Sequence, residues 1–256
     1  MKPFIFFVII VSKKGMFMII IPARLSSSRL PNKVLADING TPMVIKTALV
    51  AQKVDNVVIA TDSEEVIDIA KKYNIKAVMT DKNHKSGSDR IKEASDILGL
   101  KDDDLIINLQ GDEPFIESEI LENVKTTLES IQNRDFVMVS CYKKIDELSA
   151  EDPNLVKVVI DKNSDAIYFS RSKIPYNRDN SVHTYKGHIG IYGFSRKSLD
   201  TFCQINAHIE DIEKLEQLRV IYHGYKIKMI EVETKSFGID TAEDLAKAIE
   251  YEKNRN

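Results

Sequence analysis

Three cationic side chains lie in the loop that follows the first apolar run of the chain. Arg24, Arg29 and Lys33 combine two planar guanidinium groups with one compact ammonium group, a set that suits the oxygens of a polyphosphate. Ligands of open α/β sheets bind outside the carboxyl ends of the strands, and a loop of about a dozen residues at such a place is usually functional or disordered. The loop lacks the glycine spacing of the P-loop and of the dinucleotide-binding fingerprint. It could therefore bind phosphates in another way, or it could be an ordinary solvated basic loop.

An acidic pair follows the most clearly buried apolar run of the sequence, residues 105–109. Asp112 and Glu113 come directly after Gln110 and Gly111. Carboxylates at the end of a buried strand are costly to desolvate unless they meet a cation. A Mg²⁺ ion held by one or two carboxylates and by substrate phosphates would meet that need, and Gly111 would let the backbone approach the ligand closely. The alternative is a turn in which both carboxylates point to water.

A further acidic candidate lies near the end of the chain. Asp240 precedes Thr241, and either residue would be an ordinary N-cap of the last helix. Two carboxylates from different strand ends, Asp112 and Asp240, could instead complete a magnesium site between triphosphate oxygens. The sequence leaves both interpretations open.

The segment at residues 84–90 combines small residues with a cation. Ser86 and Gly87 offer hydroxyl and backbone groups that could read the edge of a base. Arg90 could bind a phosphate or pair with Asp89. The same segment is equally typical of a capped helix start.

Three more segments supply donors and charges from the second half of the chain. Arg171 follows an apolar strand, and His188 and Tyr192 lie on one face of another strand because their spacing is even. Glu216 and Gln217 lie on a charged helix, a pattern that usually indicates a solvated face. If these residues converge on one pocket, they would suit a hydroxylated sugar that carries a carboxylate.

The bulk composition is that of an ordinary globular protein. The chain has 256 residues, of which 43% are hydrophobic and 29% are charged, so it can bury a full core. Its net charge of -3 provides no basic field, and nucleic acid is therefore not the favoured partner. Cys141 and Cys203 lack metal or redox spacing and are interpreted as buried thiols.

The N-terminus carries an apolar run at residues 4–11, flanked by lysines. The run is too short to span a bilayer, and no small-residue cleavage site follows it. We expect residues 1–15 to be a dispensable extension and the protein to be cytoplasmic, without a membrane partner.

Strand and helix patterns alternate along the chain, which predicts a parallel sheet. Asp62 and Glu65 form a capping-box-like start to the second helix. We predict one α/β domain at residues 16–256 with an inserted substrate-facing subdomain at 143–208. The predicted strands are 57–60, 75–79, 105–109, 136–142, 156–160, 166–169, 188–194 and 227–232, and the later helices are 209–222 and 241–251.

Taken in order, these segments resemble the 3-deoxy-manno-octulosonate cytidylyltransferases, also called CMP-Kdo synthetases. The resemblance covers residues 18–250. The opening loop occurs in several nucleotidyltransferases, whereas its combination with the later motifs is much narrower. The motifs are Ile-Pro-Ala-Arg24, Ser28-Arg29-Leu-Pro-x-Lys33, Ala60-Thr-Asp62, Ser86-Gly-Ser-Asp-Arg90, Gln110-Gly-Asp-Glu-Pro114, Leu155-Val-Lys-Val-Val159, Tyr168-Phe-Ser-Arg171, His188-Ile-Gly-Ile-Tyr192, Leu215-Glu-Gln-Leu-Arg219 and Gly238-Ile-Asp-Thr241.

The resemblance implies a Rossmann-like nucleotidyltransferase fold, a homodimer and a Mg²⁺-dependent reaction of CTP with Kdo that gives CMP-Kdo for lipopolysaccharide synthesis. It also implies roles for residues of this chain. Asp112 and Asp240 would be magnesium ligands and catalytic, together with Lys33 and Arg24. The CTP-binding set would be Arg24, Arg29, Lys33, Ser86, Gly87, Arg90 and Asp112, and the sugar-binding set Gln110, Arg171, His188, Tyr192, Glu216 and Gln217.

The chain departs from the pattern of the family beside the expected sugar pocket. Gly187 stands where a basic residue commonly precedes the histidine, and Asp152 stands where asparagine is common before Pro153. The alternatives are therefore the same reaction on an amino-substituted Kdo or on a sialic acid. A nucleotide-binding regulator without catalysis is a further alternative, but the presence of Lys33 and both metal aspartates argues against it.

Overall fold

The computed structural model describes residues 15–27, 29–131, 136–181 and 184–254. The apolar run at 4–11, and all but the last residue of the predicted extension, lie outside these ranges.

Strands and helices alternate as the sequence predicts. The strands are β1 (Phe17–Ala23), β2 (Asp37–Ile38), β3 (Thr41–Pro42), β4 (Asn56–Thr61), β5 (Lys76–Met79), β6 (Leu105–Asn108), β7 (Phe136–Asp146), β8 (Lys157–Ile160), β9 (Ala166–Ser170), β10 (Thr184–Ser195) and β11 (Lys226–Glu231). The helices are α1 (Met43–Ala51), α2 (Glu64–Lys72), α3 (Gly87–Ile97), α4 (Ser118–Ser130), α5 (Glu147–Ala150), α6 (Arg196–Gln204), α7 (His208–Glu213), α8 (Leu218–Tyr222) and α9 (Ala242–Lys253).

In the described chain, seven strands form the main path of one sheet, in the order β11-β7-β10-β6-β1-β4-β5. β1 pairs in parallel with β4 and β6, β4 with β5, and β11 with β7. β10 is antiparallel to both β6 and β7, so it alone runs against the other strands of this path. The sheet is therefore mostly parallel, which confirms the prediction from the alternating pattern.

The central strand β1 is covered on both faces. Phe17, Ile19 and Ile21 belong to the core that also contains side chains of α1, α2 and α4. Met18 and Ile20 belong to the opposite core, which contains side chains of α3, α6 and α8. A strand buried on both faces needs an apolar residue at every position, which explains the continuous apolar run in the sequence.

Residues 143–208, which the sequence assigns to an inserted subdomain, are built into this sheet. β10 lies between β6 and β7, and β8 and β9 extend the sheet beyond its main path. Ile189, Ile191 and Phe194 of β10 are buried, because this strand is covered by helices on both faces. The segment is therefore not set apart from the central sheet, and its assignment to sugar binding and dimerisation stays a prediction.

Asp62 does not cap α2, so that prediction is wrong. The N-cap is Ser63, which makes no side-chain capping bond. Asp62 instead accepts a hydrogen bond from the Leu25 backbone N–H at 3.1 Å and one from Arg90 Nη2 at 3.0 Å. Arg90 is only 2% exposed and needs a counter-charge, which Asp62 provides. The pair ties the loop after β1 to the end of β4 and to α3.

The helix predicted at 209–222 is interrupted. Lys214 ends α7 with a φ of 55°, in the left-handed region, and α8 begins at Leu218. The charged segment between them carries Glu216 and Gln217, which are thereby placed on a turn instead of a regular helical face. The final helix begins as predicted, with Thr241 as its N-cap.

Several loops lie at one edge of the sheet. The segments that follow β1, β4, β5, β6, β7 and β11 all leave from the carboxyl edge, because these strands run in the same direction. The reversed strand β10 enters from that edge, and His188 lies beyond the level at which Tyr192 pairs with Asn108 of β6. Among the described helices, none has the length and apolar character that crossing a membrane requires.

Candidate active site

Lys33 lies at the point where the loop after β1 ends. It begins a 3-10 turn, Lys33–Leu35, and Asn32 before it has a φ of 53°, a conformation that asparagine adopts more readily than most residues. Val34 packs into the core, while the Lys33 side chain lines a cavity at the carboxyl edge. Ser28, in the same loop, lies outside the described residues.

Two carboxylates from distant parts of the chain meet at Lys33. Its Nζ lies 2.5 Å from Asp112 Oδ2 and 2.9 Å from Asp240 Oδ1. Burial lowers the pKa of Lys33, but the attraction and hydrogen bonds of both carboxylates outweigh this effect, so the pKa is raised and the side chain is an ammonium group. Arg29 Nη2 contacts the same Asp240 oxygen at 2.9 Å. The structure therefore brings together the two predicted metal ligands and two of the predicted phosphate-binding cations.

Asp112 and Asp240 both contact Lys33 Nζ, so their carboxylates lie close enough together to be considered as ligands of one Mg²⁺ ion. Within the described residues there is no group of three or more acidic, histidine or cysteine side chains that could hold a metal ion by itself. Mg²⁺ commonly takes one or two carboxylates and completes its shell with phosphates and water. The two aspartates fit that kind of site, which requires a phosphate ligand to be complete.

A cavity of about 450 Å³ surrounds this cluster, and we call it the cationic cavity. It is bounded by the loop after β1, the start of α3 and the end of β6. All seven residues predicted to bind CTP line it, together with His84, Lys85 and Gln110, among others. The predicted residues are Arg24, Arg29, Lys33, Ser86, Gly87, Arg90 and Asp112.

Two of these residues are already engaged in local structure. Ser86 is the N-cap of α3, and its Oγ accepts a hydrogen bond from the Asp89 backbone N–H at 3.1 Å. Arg90 donates to Thr80 Oγ1 at 2.6 Å as well as to Asp62. This arrangement differs from the predicted phosphate contact, because the buried guanidinium group of Arg90 holds the cavity wall together. Gly87 lies close to Pro22, since a Cβ at this position would approach Pro22 Cγ to 3.3 Å.

A wider space of about 940 Å³ opens beside the cationic cavity, and we call it the wide cleft. Strands β6, β7 and β10 form one side, and the start of α3 and the segments around 152–156, 214–217 and 234–247 form most of the rest. Five of the six residues predicted to bind the sugar line it: Gln110, His188, Tyr192, Glu216 and Gln217.

His188 is buried in the wall of the wide cleft. Its Nε2 lies 2.9 Å from Ser140 Oγ, and its ring packs against Phe169 and Tyr192 with centroid distances of 4.9 and 5.7 Å. Burial lowers the pKa of His188 to about 3. The imidazole is therefore neutral near pH 7, so it can give or accept a hydrogen bond but provides no positive charge.

The turn between α7 and α8 presents two further polar groups to the wide cleft. Glu216 accepts a hydrogen bond from Ser88 Oγ at 2.8 Å, and burial raises the pKa of its carboxyl group. Gln217 is 3% exposed, and its Nε2 has no hydrogen-bond partner within the described chain. Burial and the nearby charge of Glu216 raise the pKa of Tyr192, so its hydroxyl stays protonated. These groups are placed to contact a hydroxylated ligand.

Arg171, the sixth predicted sugar-binding residue, lines neither space. Its guanidinium group donates to the carbonyls of Glu213 at 2.7 Å, Pro153 at 3.0 Å and Lys214 at 3.4 Å. The carbonyls of Glu213 and Lys214 lie at the end of α7, where they lack a helical partner, and that of Pro153 lies in the segment before β8. In this structure Arg171 therefore positions the turn that carries Glu216, and its role in binding the sugar stays a prediction.

Sequence reasoning left out several residues of the wide cleft. Asn108, the polar end of the buried strand β6, accepts a hydrogen bond from Gln110 Nε2 at 3.0 Å. Burial and the charge of Asp112 raise the pKa of Glu113 to about 7, although Ser236 donates a hydrogen bond to it. Lys143 of β7 also lines the cleft. Asn108 could have been found as the polar residue inside an apolar run, whereas nothing local distinguishes Lys143 from the adjacent lysine.

Comparison with known proteins identifies the family. A family model described as cytidylyltransferase matches residues 18–228. The 3-deoxy-manno-octulosonate cytidylyltransferase of a Nitratiruptor species is 54% identical over 232 residues, which cover 90% of this chain and 97% of the relative. The chain belongs to the 3-deoxy-manno-octulosonate cytidylyltransferase family. The protein of that name from Wolinella succinogenes is 49% identical, with coverages of 91% and 98%.

Solved structures place the cytidylyltransferase in a known fold. A structure of CMP:2-keto-3-deoxy-manno-octonic acid synthetase complexed with CTP matches with a TM-score of 0.88 and 35% identity, covering 94% of this chain and all of the other. The 4-diphosphocytidyl-2C-methyl-D-erythritolsynthase from Anaerococcus prevotii has a TM-score of 0.62 at 19% identity, a likeness of fold alone. The predicted nucleotidyltransferase fold is confirmed, and the protein is a nucleotidyltransferase.

In this cytidylyltransferase the two spaces adjoin each other, because they share part of their lining. The residues that line both the cationic cavity and the wide cleft include Arg29, Gly87, Gln110, Glu216 and Asp240. Ligands in the two spaces would therefore meet beside Asp240 and Gln110.

Proposed function

We propose that the protein activates 3-deoxy-D-manno-octulosonate (Kdo) by transferring CMP from CTP, which gives CMP-Kdo and pyrophosphate for lipopolysaccharide biosynthesis. The observation that supports this best is the junction of the two spaces. One is rich in cations and contains the Lys33 cluster, and the other is wide and includes the neutral donors and acceptors Gln110, His188 and Gln217 in its lining. A triphosphate suits the first and a polyhydroxylated acid suits the second, so that the two substrates meet where the spaces join.

The reaction is an in-line displacement at the α-phosphorus of CTP. A hydroxyl oxygen of the sugar forms the new bond to phosphorus, and the bond to the pyrophosphate oxygen breaks. The protein contributes by positioning both substrates and by neutralising charge, since little covalent chemistry is required of it. Arg24, Arg29 and Lys33 line the cavity from one side and would stabilise the negative charge that develops on the leaving pyrophosphate.

Mg²⁺ is part of this proposal. Asp112 and Asp240 would hold the ion together with phosphate oxygens, because their carboxylates converge on a single point, which Lys33 Nζ takes in this structure. When bound, the ion supplies charge neutralisation at the phosphate oxygens. Lys33 and Arg29, released from the two aspartates, would then be free to contact the triphosphate. The ion pairs seen here thus keep the cations close to the place where they act.

On the sugar side, selectivity rests on hydrogen bonds from buried groups. Gln110, His188 and Gln217 line the wide cleft with neutral polar side chains. A site that must satisfy buried donors discriminates strongly against ligands that leave them unpaired. Kdo is the proposed acceptor, and an amino-substituted Kdo or a sialic acid would have to satisfy the same groups with a different set of hydroxyls.

Pyrophosphate release measures the proposed reaction directly. The protein is incubated with CTP and, in separate reactions, with Kdo, its amino-substituted analogue or a sialic acid, each with and without Mg²⁺. We expect turnover with Kdo and CTP that requires Mg²⁺, and little turnover when UTP or ATP replaces CTP. Turnover with a sialic acid but not with Kdo would overturn the choice of acceptor, and metal-independent turnover would overturn the role of Mg²⁺.

A homodimer and a location in the cytoplasm complete the proposal. Light scattering of the purified protein would measure its mass in solution, for which a value of twice 29.1 kDa is expected. Fractionation of cells that make the protein should recover it with other cytoplasmic enzymes. A monomeric mass would contradict the first expectation, and recovery with the membrane fraction would contradict the second.

A further inference from the structure

The carboxylate of the sugar needs a cation that the predicted sugar-binding set does not supply. Carboxylates in partly buried sites are held most strongly by charged donors. Arg171 lies outside the wide cleft, where three backbone carbonyls hold it, and His188 is neutral. The proposed function therefore leaves open which side chain receives the carboxylate.

Four lysines and arginines among the described residues line the wide cleft: Arg29, Lys143, Lys214 and Lys247. Arg29 contacts Asp240 on the side of the cationic cavity. Lys214 and Lys247 are exposed, and water weakens any interaction that they make. Lys143 is half-buried and makes no hydrogen bond or ion pair with another described residue. It is thus the cation of this cleft that is both partly desolvated and available.

The strand register separates Lys143, which lines the cleft, from Lys144 and Lys186, which do not. Lys143 lies opposite Gly187 on β10, so β10 contributes no side chain beside it. Side chains alternate along a strand, and Lys144 accordingly lies on the other face, where it is 65% exposed and contacts Glu231 at 2.6 Å. Lys186, opposite Lys144, lies over the Tyr142 ring.

The position of Lys143 within the cleft also fits a ligand carboxylate. Lys143 and Glu113, the residue that follows Asp112, line the same cleft. On the adjacent strand, His188 follows Gly187 directly and so lies on the opposite face of the sheet from Lys143, but both side chains line the wide cleft at the sheet edge. A carboxylate bound at Lys143 would share this cleft with the neutral groups of β10.

We infer that the ammonium group of Lys143 binds the carboxylate of the acceptor sugar and so selects acidic sugars, an inference that rests on the proposed function. Lys143 is a specificity-determining residue in this assignment, because it contacts the carboxylate and not the reacting hydroxyl.

The test compares Kdo with its methyl ester, which lacks the negative charge, as acceptors for the complete protein. The parent should prefer Kdo. Lys143→Met should lower kcat/KM for Kdo by roughly 10- to 100-fold, the scale of one charge-assisted hydrogen bond. It should leave kcat/KM for the ester and the KM for CTP almost unchanged. Lys143→Arg should retain the preference for the acid, because it keeps the charge.

Lys144→Met is the matched control, since it removes the adjacent lysine from the opposite face and should leave the preference intact. Equal losses for acid and ester in Lys143→Met, or no loss at all, would overturn the inference. If Lys143→Met does not fold, Lys143→Gln is measured in the same way. Failure of the parent to use Kdo would count against the proposed function instead, so the two failures are distinguishable.

Discussion

The cationic cavity and the wide cleft differ in how the charges of their side chains are arranged. In the cationic cavity, formal charges face each other: Lys33 lies between Asp112 and Asp240, and Arg29 shares Asp240 with it. In the wall of the wide cleft, burial lowers the pKa of His188, which stays neutral, and raises the pKa of Glu216. The first space suits a highly charged ligand, whose arrival would rearrange these ion pairs. The second is prepared for a ligand that is recognised mainly by hydrogen bonds.

This contrast shows how one sheet edge can hold both substrates. The cations come from a loop that is tied down through Asp62 and Arg90, so their side chains can exchange partners without moving the backbone. The polar groups of the wide cleft come from β6, β10 and the turn after α7, where packing fixes them. We therefore expect substitutions in the cavity to change catalysis and metal binding, and substitutions in the cleft to change selectivity and stability.

The largest expected effect is that of Asp112→Asn. The change keeps the shape of the side chain but removes the negative charge that Mg²⁺ requires, so kcat for pyrophosphate release should fall by about a thousandfold or more. Asp240→Asn should be comparably severe. The double variant should be little worse than either single variant, because the two groups act as one unit.

Asp68→Asn provides the control, because Asp68 is exposed on α2. Circular dichroism should confirm that all of these variants are folded. Activity of Asp112→Asn near the parental level at saturating Mg²⁺ would mean that this carboxylate is not a metal ligand, and the contrast between the two spaces would lose its basis.

Lys33→Met should have two effects of opposite sign. The KM for CTP should rise by about a hundredfold, because a charge that stabilises the phosphates is lost. Binding of Mn²⁺ to the protein without nucleotide should become tighter, because Asp112 and Asp240 lose the ammonium group that neutralises them. Titration of Mn²⁺ followed by electron paramagnetic resonance measures the second effect independently of turnover.

Lys71→Met, an exposed change on α2, should leave both quantities unaltered. Weaker Mn²⁺ binding in Lys33→Met would show that Lys33 does not compete with the metal for the aspartates. The ion pairs of the cationic cavity would then be a fixed part of the site and not an arrangement that the ligand replaces.

The sequence predicts the cationic cavity better than the wide cleft, and the reason is physical. Arg24, Arg29 and Lys33 lie on one continuous loop after a buried strand, so their types and spacing already indicate a phosphate ligand. Every residue predicted for CTP lines the cavity. What the loop could not indicate was the pairing of Lys33 with Asp240, because this contact depends on how β11 pairs with β7.

The wide cleft depends on strand order, which local patterns do not encode. Lys143 and Lys144 are identical in type and adjacent, and only their register against β10 separates them. The interruption at Lys214 was likewise missed, because no glycine or proline marks it, and the predicted helix at 209–222 was wrong as a result. The contacts of Arg171 could not be predicted for the same reason, since two of the carbonyls that it binds, those of Glu213 and Lys214, lie at the end of α7.

Arg171→Ala should act through the turn that it holds. Loss of hydrogen bonds to the carbonyls of Glu213, Pro153 and Lys214 should loosen the segment that carries Glu216. We expect a lower melting temperature and a KM for Kdo raised by roughly tenfold, with a smaller change in the KM for CTP. Arg171→Lys should not restore the parental values, because an ammonium group cannot reproduce the planar set of donors.

A thermal shift measured together with both KM values separates the two possible roles. A raised KM for Kdo without any loss of stability would mean that Arg171 contacts the sugar after all. The turn after α7 would then have to reopen when the sugar binds.

The smallest expected effect concerns the stability of the protein in mild acid. Burial lowers the pKa of His188 to about 3, from 6.5 in the unfolded chain, so between these values the unfolded state binds a proton that the folded state does not. The contribution of His188 to the free energy of unfolding is therefore complete above pH 6.5 and is lost as the pH falls toward about 3. One such proton changes this free energy by up to about 1.4 kcal/mol per pH unit.

His188→Gln can keep a hydrogen bond to Ser140 but cannot titrate, so urea unfolding of this variant should depend less on pH below 6.5 than that of the parent. His208→Gln, which removes an exposed histidine, should keep the parental slope. Equal slopes in the parent and in His188→Gln would mean that His188 is as accessible to protons in the folded protein as in the unfolded one. The wide cleft would then be a hydrated, chargeable surface, and its electrostatic contrast with the cationic cavity would disappear.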